Sequence, residues 1–384
     1  MKPERHKKLA LVRGKFLNKY EMQSFAPLAK QYDIRAFGSL TCYHDTFAFP
    51  VTKLLSPMDV PEFPLNMPVL NRLFVDAHYL FGLENQLKGF DIVHTAETYY
   101  HYTQQALDAK KKGYVKKVVA TVLENIPFNN EGIRGRKQFK ARSRKELDHI
   151  IALTQKTKRT LVLEGASPKK ITVIGHGIDT KIFTPDKDHF RKLGASDGHI
   201  LTILFSGRLE SYKGVFVILD AAKSILEDKS IRQSIRFIFV GTGSEKKTML
   251  SLEKSMGIQK SVVHMDVPYE QMPDVYKTAD IFIAPSMPNE TWEEQYCTAL
   301  LEAQSMGLPI VTTKSGGIPE NVGLCALFSD IGDSQSLARE VKKFILHPTL
   351  RVHYGRKARE RAIKVHDTSI IAKKLDMVYQ SLFV

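Results

Sequence analysis

The chain has 384 residues, 43% of them apolar, and 56 Lys and Arg against 41 Asp and Glu leave it a net charge of +15. That length suggests about two domains with full cores, and no run reaches the ~18 apolar residues of a membrane-spanning helix. Cys42, Cys297 and Cys325 are few, odd in number and without ligand spacing, which points to a reducing, cytoplasmic setting and against a disulfide framework or metal centre.

In chain order, Met1 to Lys8 leads into the apolar Leu9-Ala-Leu-Val12, too short for a secretory core and read as a first strand, Lys8–Arg13. A helix over Glu21–Gln31 and a strand over Asp33–Phe37 follow. The stretch 39–71 holds Pro50, Pro57, Pro61, Pro64 and Pro68 and reads as loop. A helix is predicted over Leu73–Leu87, then a strand at Ile92–His94 and a helix over Tyr99–Lys111. The strand Lys117–Thr121 and a helix over Lys137–Asp148 come next. A strand at Ile150–Leu153, a helix over Thr154–Glu164 and a strand at Ile171–Ile174 complete this half. Strand–helix alternation argues for a doubly wound parallel sheet.

The second half opens with an apolar strand, Ile200 to Phe205. It ends in a glycine turn bearing Arg208 and Lys213, and a helix over Val215–Leu226 follows. Two cations at the carboxyl end of a parallel strand suit an anion. Phe237 to Val240 runs into Gly241-Thr-Gly243, and Ala279 to Ser286 is a further strand. Then comes Trp292-Glu-Glu-Gln-Tyr-Cys-Thr-Ala-Leu-Leu-Glu302, a loop turning into a helix near Tyr296 and stopping at Gly307. Glu294 and Glu302 are eight residues apart, ~12 Å at the helical rise. That spacing suits hydroxyls at the two ends of a sugar–diphosphate–ribose unit, with the helix N-terminus between them for the diphosphate. Read alone, the segment is more readily an ordinary amphipathic helix with two solvated glutamates. Gly316-Gly317 is either a tight turn or a close approach to phosphate, and Trp292 either anchors its loop or walls a pocket.

Together these motifs resemble the donor half of the retaining glycosyltransferases of the family-four type, whose signature is Glu-x7-Glu with an upstream Arg and Lys. Asp91-Ile-Val-His94 and the run Ile171 to Asp179 are similar to that family's first-domain strand and inter-domain segment. The resemblance implies an α/β GT-B fold with two doubly wound Rossmann-like domains facing a cleft. Residues 1–180 would form the acceptor-side domain and 181–366 the nucleotide-sugar domain. The helix 367–384, amphipathic through Ile370, Ile371, Leu375, Val378 and Leu382, would pack back on the first.

The implied activity is hexose transfer, with retention, from a nucleoside diphosphate sugar to a saccharide or lipid-linked acceptor. Glu294, Arg208 and Lys213 would be catalytic. The donor would be bound by those three with Gly241, Tyr296, Cys297, Thr298 and Glu302, where Glu294 takes the sugar and Glu302 the ribose. The departing phosphate oxygen would take the acceptor proton, so no strong side-chain base is needed. With cations and a helix dipole at hand for the diphosphate, no metal or other cofactor is expected. On the acceptor side the candidates are Gly14, His94, Glu97 and Glu124. The chain departs from the family there. Cys297 stands where glycine is common, the second histidine after His94 is missing, and the front glycine loop is reduced to Arg13-Gly14-Lys15. Two alternatives remain open, a nucleotide-sugar 2-epimerase and a catalytically degenerate sugar-nucleotide-binding subunit. Residues 1–176 carry +13 of the charge (29 Lys and Arg, 16 Asp and Glu), concentrated in Lys110–Lys117 and Arg134–Lys145. An anionic membrane surface, with the chain peripheral on it, competes with a plain solvated face. Nucleic acid is not expected, because no binding motif accompanies the charge.

Overall fold

The computed structural model describes residues 6–61, 66–195 and 200–384; the prediction that touches Pro64 lies outside them. The chain forms two compact units, Met1–Gly177 with Thr368–Val384, and Ile178–Asp367.

The first unit is built on seven parallel strands: β1 (Lys7–Gly14), β2 (Tyr32–Ser39), β3 (Val51–Leu54), β4 (Phe90–Ala96), β5 (Val115–Val122), β6 (His149–Ala152) and β7 (Ile171–Val173). Their order is β3-β2-β1-β4-β5-β6-β7. β1 is apolar on both faces because both are covered. Ala10 and Val12 join one core with Tyr102 and Leu107, while Leu9 and Leu11 join another with Phe25 and Ile34. The helix Thr368–Ser381 closes that second core with Ile371, Leu375, Val378 and Tyr379. The Tyr32 hydroxyl donates to Asp376 at 2.6 Å.

The second unit has six parallel strands: β8 (Leu201–Ser206), β9 (Ile235–Val240), β10 (Val262–Met265), β11 (Ile281–Ala284), β12 (Ile310–Thr312) and β13 (Ala326–Phe328), in the order β10-β9-β8-β11-β12-β13. Each sheet reverses direction once, between β1 and β4 and between β8 and β11. In doubly wound folds ligands bind outside the carboxyl ends of the strands at such a reversal.

Several local expectations need correction. The helix predicted over Leu73–Leu87 is two short pieces, Asn66–Phe74 and Leu83–Gln86. Val75 and Gly82 have φ of 62° and 79°, and the Asp76 carboxylate takes the His78 N–H at 3.1 Å, a local bond that competes with the helical ladder. The helix over Glu21–Gln31 is an α-turn at Lys19–Met22 followed by a 3-10 segment, Gln23–Lys30, with Pro27 inside; proline has no N–H for an α ladder. The loop 39–71 contains β3, paired in parallel with β2.

Candidate active site

The second unit's site is set by two turns held backbone to backbone. Gly241, after β9, has φ 131°, and a Cβ there would sit 2.2 Å from the Gly207 carbonyl oxygen. Gly214, at φ 78°, would meet the Pro285 carbonyl oxygen at 2.2 Å. Only glycine fits either position. The turn from Gly207 to Gly214 is thereby fixed against the ends of β9 and β11, and Lys213, within it, points to one place.

There its ammonium lies 2.6 Å from Glu294 Oε2 and 5.0 Å over the Trp292 ring. Trp292 in turn packs on Tyr212 at 4.3 Å. The same carboxylate oxygen accepts from Ser286 Oγ at 2.9 Å. The Glu294 backbone is pinned as well: its N–H donates to Ser315 Oγ at 3.2 Å, and its carbonyl accepts from the Gly317 N–H at 2.8 Å. Gly317 therefore serves the acidic loop directly. Burial, the largest single influence, would lower the Lys213 pKa, but the charge and hydrogen bond of Glu294 together with the neighbouring Cys297 and Tyr212 outweigh it and the value is raised. Lys213 is held as a cation in a largely dry place.

Arg208 is not part of this cluster. Its guanidinium is 71% exposed and reaches Glu210 at 3.4 Å. The helix after the acidic loop runs from Thr298 to Ser305, with Cys297 as its cap at φ 59°. It starts two residues later than predicted, so Glu294 stands in a loop and the ~12 Å helical ruler does not connect it to Glu302. Thr298 opens the helix, whose first-turn N–H groups have no partner within it. The Tyr296 ring is buried, and its carbonyl accepts from Asn321 Nδ2, as does that of Cys297 at 3.2 Å. Burial pushes the Cys297 thiol up to about 12, so its sulfur stays protonated. Glu302 is buried and accepts from the Tyr276 hydroxyl at 2.7 Å. Burial pushes its carboxyl up to about 7, partly opposed by hydrogen bonds from Tyr276 and Tyr269.

In the first unit, Gly14 ends β1 with φ 54°, and a Cβ there would lie 3.3 Å from the Tyr102 ring. His94 has the surroundings of a satisfied core histidine. It is fully buried, with Nδ1 2.6 Å from the Tyr379 hydroxyl and Nε2 2.7 Å from Thr121 Oγ1. Glu97, at φ 58°, accepts the N–H groups of Leu123 at 2.8 Å and Glu124 at 3.1 Å. Burial, then the charge of Glu124, pushes its carboxyl up to about 8. Glu124 accepts from the Ile126 N–H at 2.9 Å and from Asn129 and Asn130 at 2.8 and 3.1 Å. Both glutamates thus organise the loop after β5.

The basic run Arg134–Lys145 is not a free cationic face. Arg136 is buried and bonded to Asp76 at 2.7 Å, Lys140 is buried against Glu164 at 2.5 Å, and Arg144 reaches the same Glu164 at 3.1 Å. Sequence reasoning missed Ser286, Ser315 and Asn321, and also the pair Asp76 and His78. Position just after a strand of the reversal was the available signal for Ser286. For Asp76 and His78 it was their alternation in a segment wrongly assigned to a helix.

A family profile described as "Glycosyl transferases group 1" matches residues 186–361, and one described as "Glycosyltransferase Family 4" matches residues 40–182. The D-inositol 3-phosphate glycosyltransferase of Thermobifida fusca is 30% identical over 243 residues, 60% of this chain and 54% of that protein. A phosphatidylinositol N-acetylglucosaminyltransferase component of Arabidopsis thaliana is 26% identical over 292 residues, 75% of this chain and 61% of that one. The chain spans about half the length of the curated relatives it matches. Among solved structures, Anabaena HepE in complex with UDP and glucose superposes with a TM-score of 0.75 at 17% identity, over 98% of this chain and 100% of that one. The sucrose-phosphate synthase of Thermosynechococcus elongatus gives 0.73 at 17%, over 98% and 99%. These two establish likeness of fold.

Proposed function

The chain belongs to the family-four glycosyltransferases, and on that premise we propose that it moves a hexose from a nucleoside diphosphate sugar to a hydroxyl of a saccharide or lipid-linked acceptor, with retention. The observation that carries this reading is the Lys213–Glu294 pair, largely buried beside the start of the helix Thr298–Ser305. A cation and a helix N-terminus together meet a diphosphate. A carboxylate held on a rigid loop beside them accepts hydroxyls of the sugar and faces the charge that grows on its ring. Arg208, exposed on the adjoining turn, is free to close on the phosphate. With this charge supplied by the protein, a divalent metal is unnecessary. The relatives are transferases by name, which favours this reading over the epimerase.

Donor binding tests it. A thermal-shift screen of UDP-, GDP-, ADP- and dTDP-sugars should raise the melting temperature for at least one, since a ligand that binds the native state stabilises it. Turnover with that donor should survive excess chelator. Binding of none, or a strict need for Mg²⁺ in the chemical step, would contradict the proposal.

A further inference from the structure

Beside the reversal of the first sheet lies a polar arrangement that the donor site does not use. Asp76 is fully buried. Its Oδ1 accepts the N–H groups of His78 and His101, each at 3.1 Å, and lies 2.9 Å from His78 Nδ1. Its Oδ2 accepts from Arg136 at 2.7 Å. The remaining nitrogen of the imidazole, Nε2, is buried without a hydrogen-bond partner, as is the nearby Tyr102 hydroxyl. Buried polar atoms are nearly always paired, and an orphan calls for an explanation.

The chemistry of the missing partner follows from the pair. Burial works against the ionised Asp76 carboxyl, but its bonds to His78, Arg136 and His101 together hold its pKa below the ordinary value. An ionised carboxylate only accepts, so Nδ1 carries the hydrogen. In the neutral imidazole the other nitrogen carries none. Nε2 then presents a lone pair, and its complement is a hydroxyl. The surroundings are aromatic. Tyr100 stacks on the imidazole at 4.1 Å, Phe16 lies 5.1 Å away, and Tyr43, 55% exposed, packs on Phe16 at 5.9 Å. Phe16 follows β1 and Tyr100 follows β4, the strands at the reversal. Apolar and aromatic walls with a few placed polar groups are the make-up of a small-molecule site.

We propose that a hydroxyl of the acceptor donates to His78 Nε2 against the Tyr100 and Phe16 rings, and that Asp76 and Arg136 hold the imidazole in the accepting tautomer. That the ligand is an acceptor rests on the transferase reading, whereas the site itself stands on its own geometry. His78 selects acceptors that present a hydroxyl at this point; Asp76 and Arg136 are positioning residues.

The test is imidazole ¹⁵N NMR on the full chain, with His78→Phe to assign the resonances. Titration with inositol 3-phosphate, N-acetylglucosamine, glucose and glycerol should shift the His78 Nε2 signal for at least one, from a ring protonated at Nδ1. With any of these that is glycosylated, His78→Phe should raise its KM at least tenfold, and the donor KM should change less than twofold. Asp76→Asn should raise the acceptor KM likewise and switch the tautomer, a signature that a merely structural role would not give. An Nε2–H tautomer in the wild type, silence toward all four probes, or an unchanged acceptor KM would overturn the proposal. Donor binding by calorimetry reports separately on the second unit, so failure there leaves the His78 titration readable.

Discussion

Glu294 and Lys213 are coupled, and their variants should not behave alike. Glu294→Gln keeps the shape and the Ser286 contact but removes the charge. If that charge faces a sugar becoming cationic, turnover should fall by about 10² or more while donor affinity changes little. Lys213→Met strands the Glu294 carboxylate, so both affinity and thermal stability should drop; near-normal kinetics in both variants would sink the site. Glu302 gives a pH signature of its own. Its folded carboxyl sits at about 7, against an ordinary 4.5, so between those values the native state holds a proton that the unfolded chain has released. Stability from this group is therefore full below 4.5 and declines as pH rises toward 7. Melting temperatures of wild type and Glu302→Gln from pH 4.5 to 8 should show the wild type losing ground over that window. If Glu302 holds the ribose as an ionised carboxylate, donor affinity should move the opposite way, rising through pH 7. A flat difference across the window would contradict both.

At the scale of elements, the cap of the helix Thr298–Ser305 carries a test. Cys297 sits at φ 59°, where a side chain costs ~1–2 kcal/mol that glycine does not pay. Cys297→Gly should raise the melting temperature by a few degrees and leave donor binding intact or tighter. Gly214→Ala, driven onto the Pro285 carbonyl, should do the reverse. Elements whose identity is local were readable in advance. The helix Val215–Leu226 has the predicted bounds, because an apolar stripe and a glycine turn specify it without help from elsewhere. The acidic loop was readable by composition, but not the start of its helix, since that depends on Asn321 holding two carbonyls from 24 and 25 residues away. The segment 75–82 was misread for the same kind of reason. Its conformation follows from what Asp76 bonds to, and Arg136 and His101 are distant in sequence. The groups that hold both ring nitrogens of His94, Tyr379 and Thr121, are likewise distant in sequence.

At the scale of the whole molecule, the +15 charge divides into cations that hold the fold and cations that face water. Arg136 and Lys140 belong to the first kind. Neutralising Arg136 takes the guanidinium from the buried Asp76, and neutralising Lys140 leaves the buried Glu164 with Arg144 alone; breaking such buried pairs costs up to about 3–5 kcal/mol, so these variants report on the fold rather than on a surface. Lys111, Lys112, Arg134, Lys137 and Lys145 are exposed, and among the described residues no helix is long and apolar enough to cross a membrane. If the chain holds to an anionic bilayer through charge, exposed groups such as these would contribute roughly 1 kcal/mol each near the surface. Five acting together would give reversible attachment that fades as salt shortens the screening length. Sedimentation with anionic vesicles at low salt should capture the protein, neutral vesicles should not, and raising the salt should release it. A variant with Lys111, Lys112, Arg134, Lys137 and Lys145 all changed to Gln should stay folded and lose this binding. Equal recovery with both kinds of vesicle, or none with either, would mark these lysines and arginines as a solvated face and leave the acceptor to be found in solution.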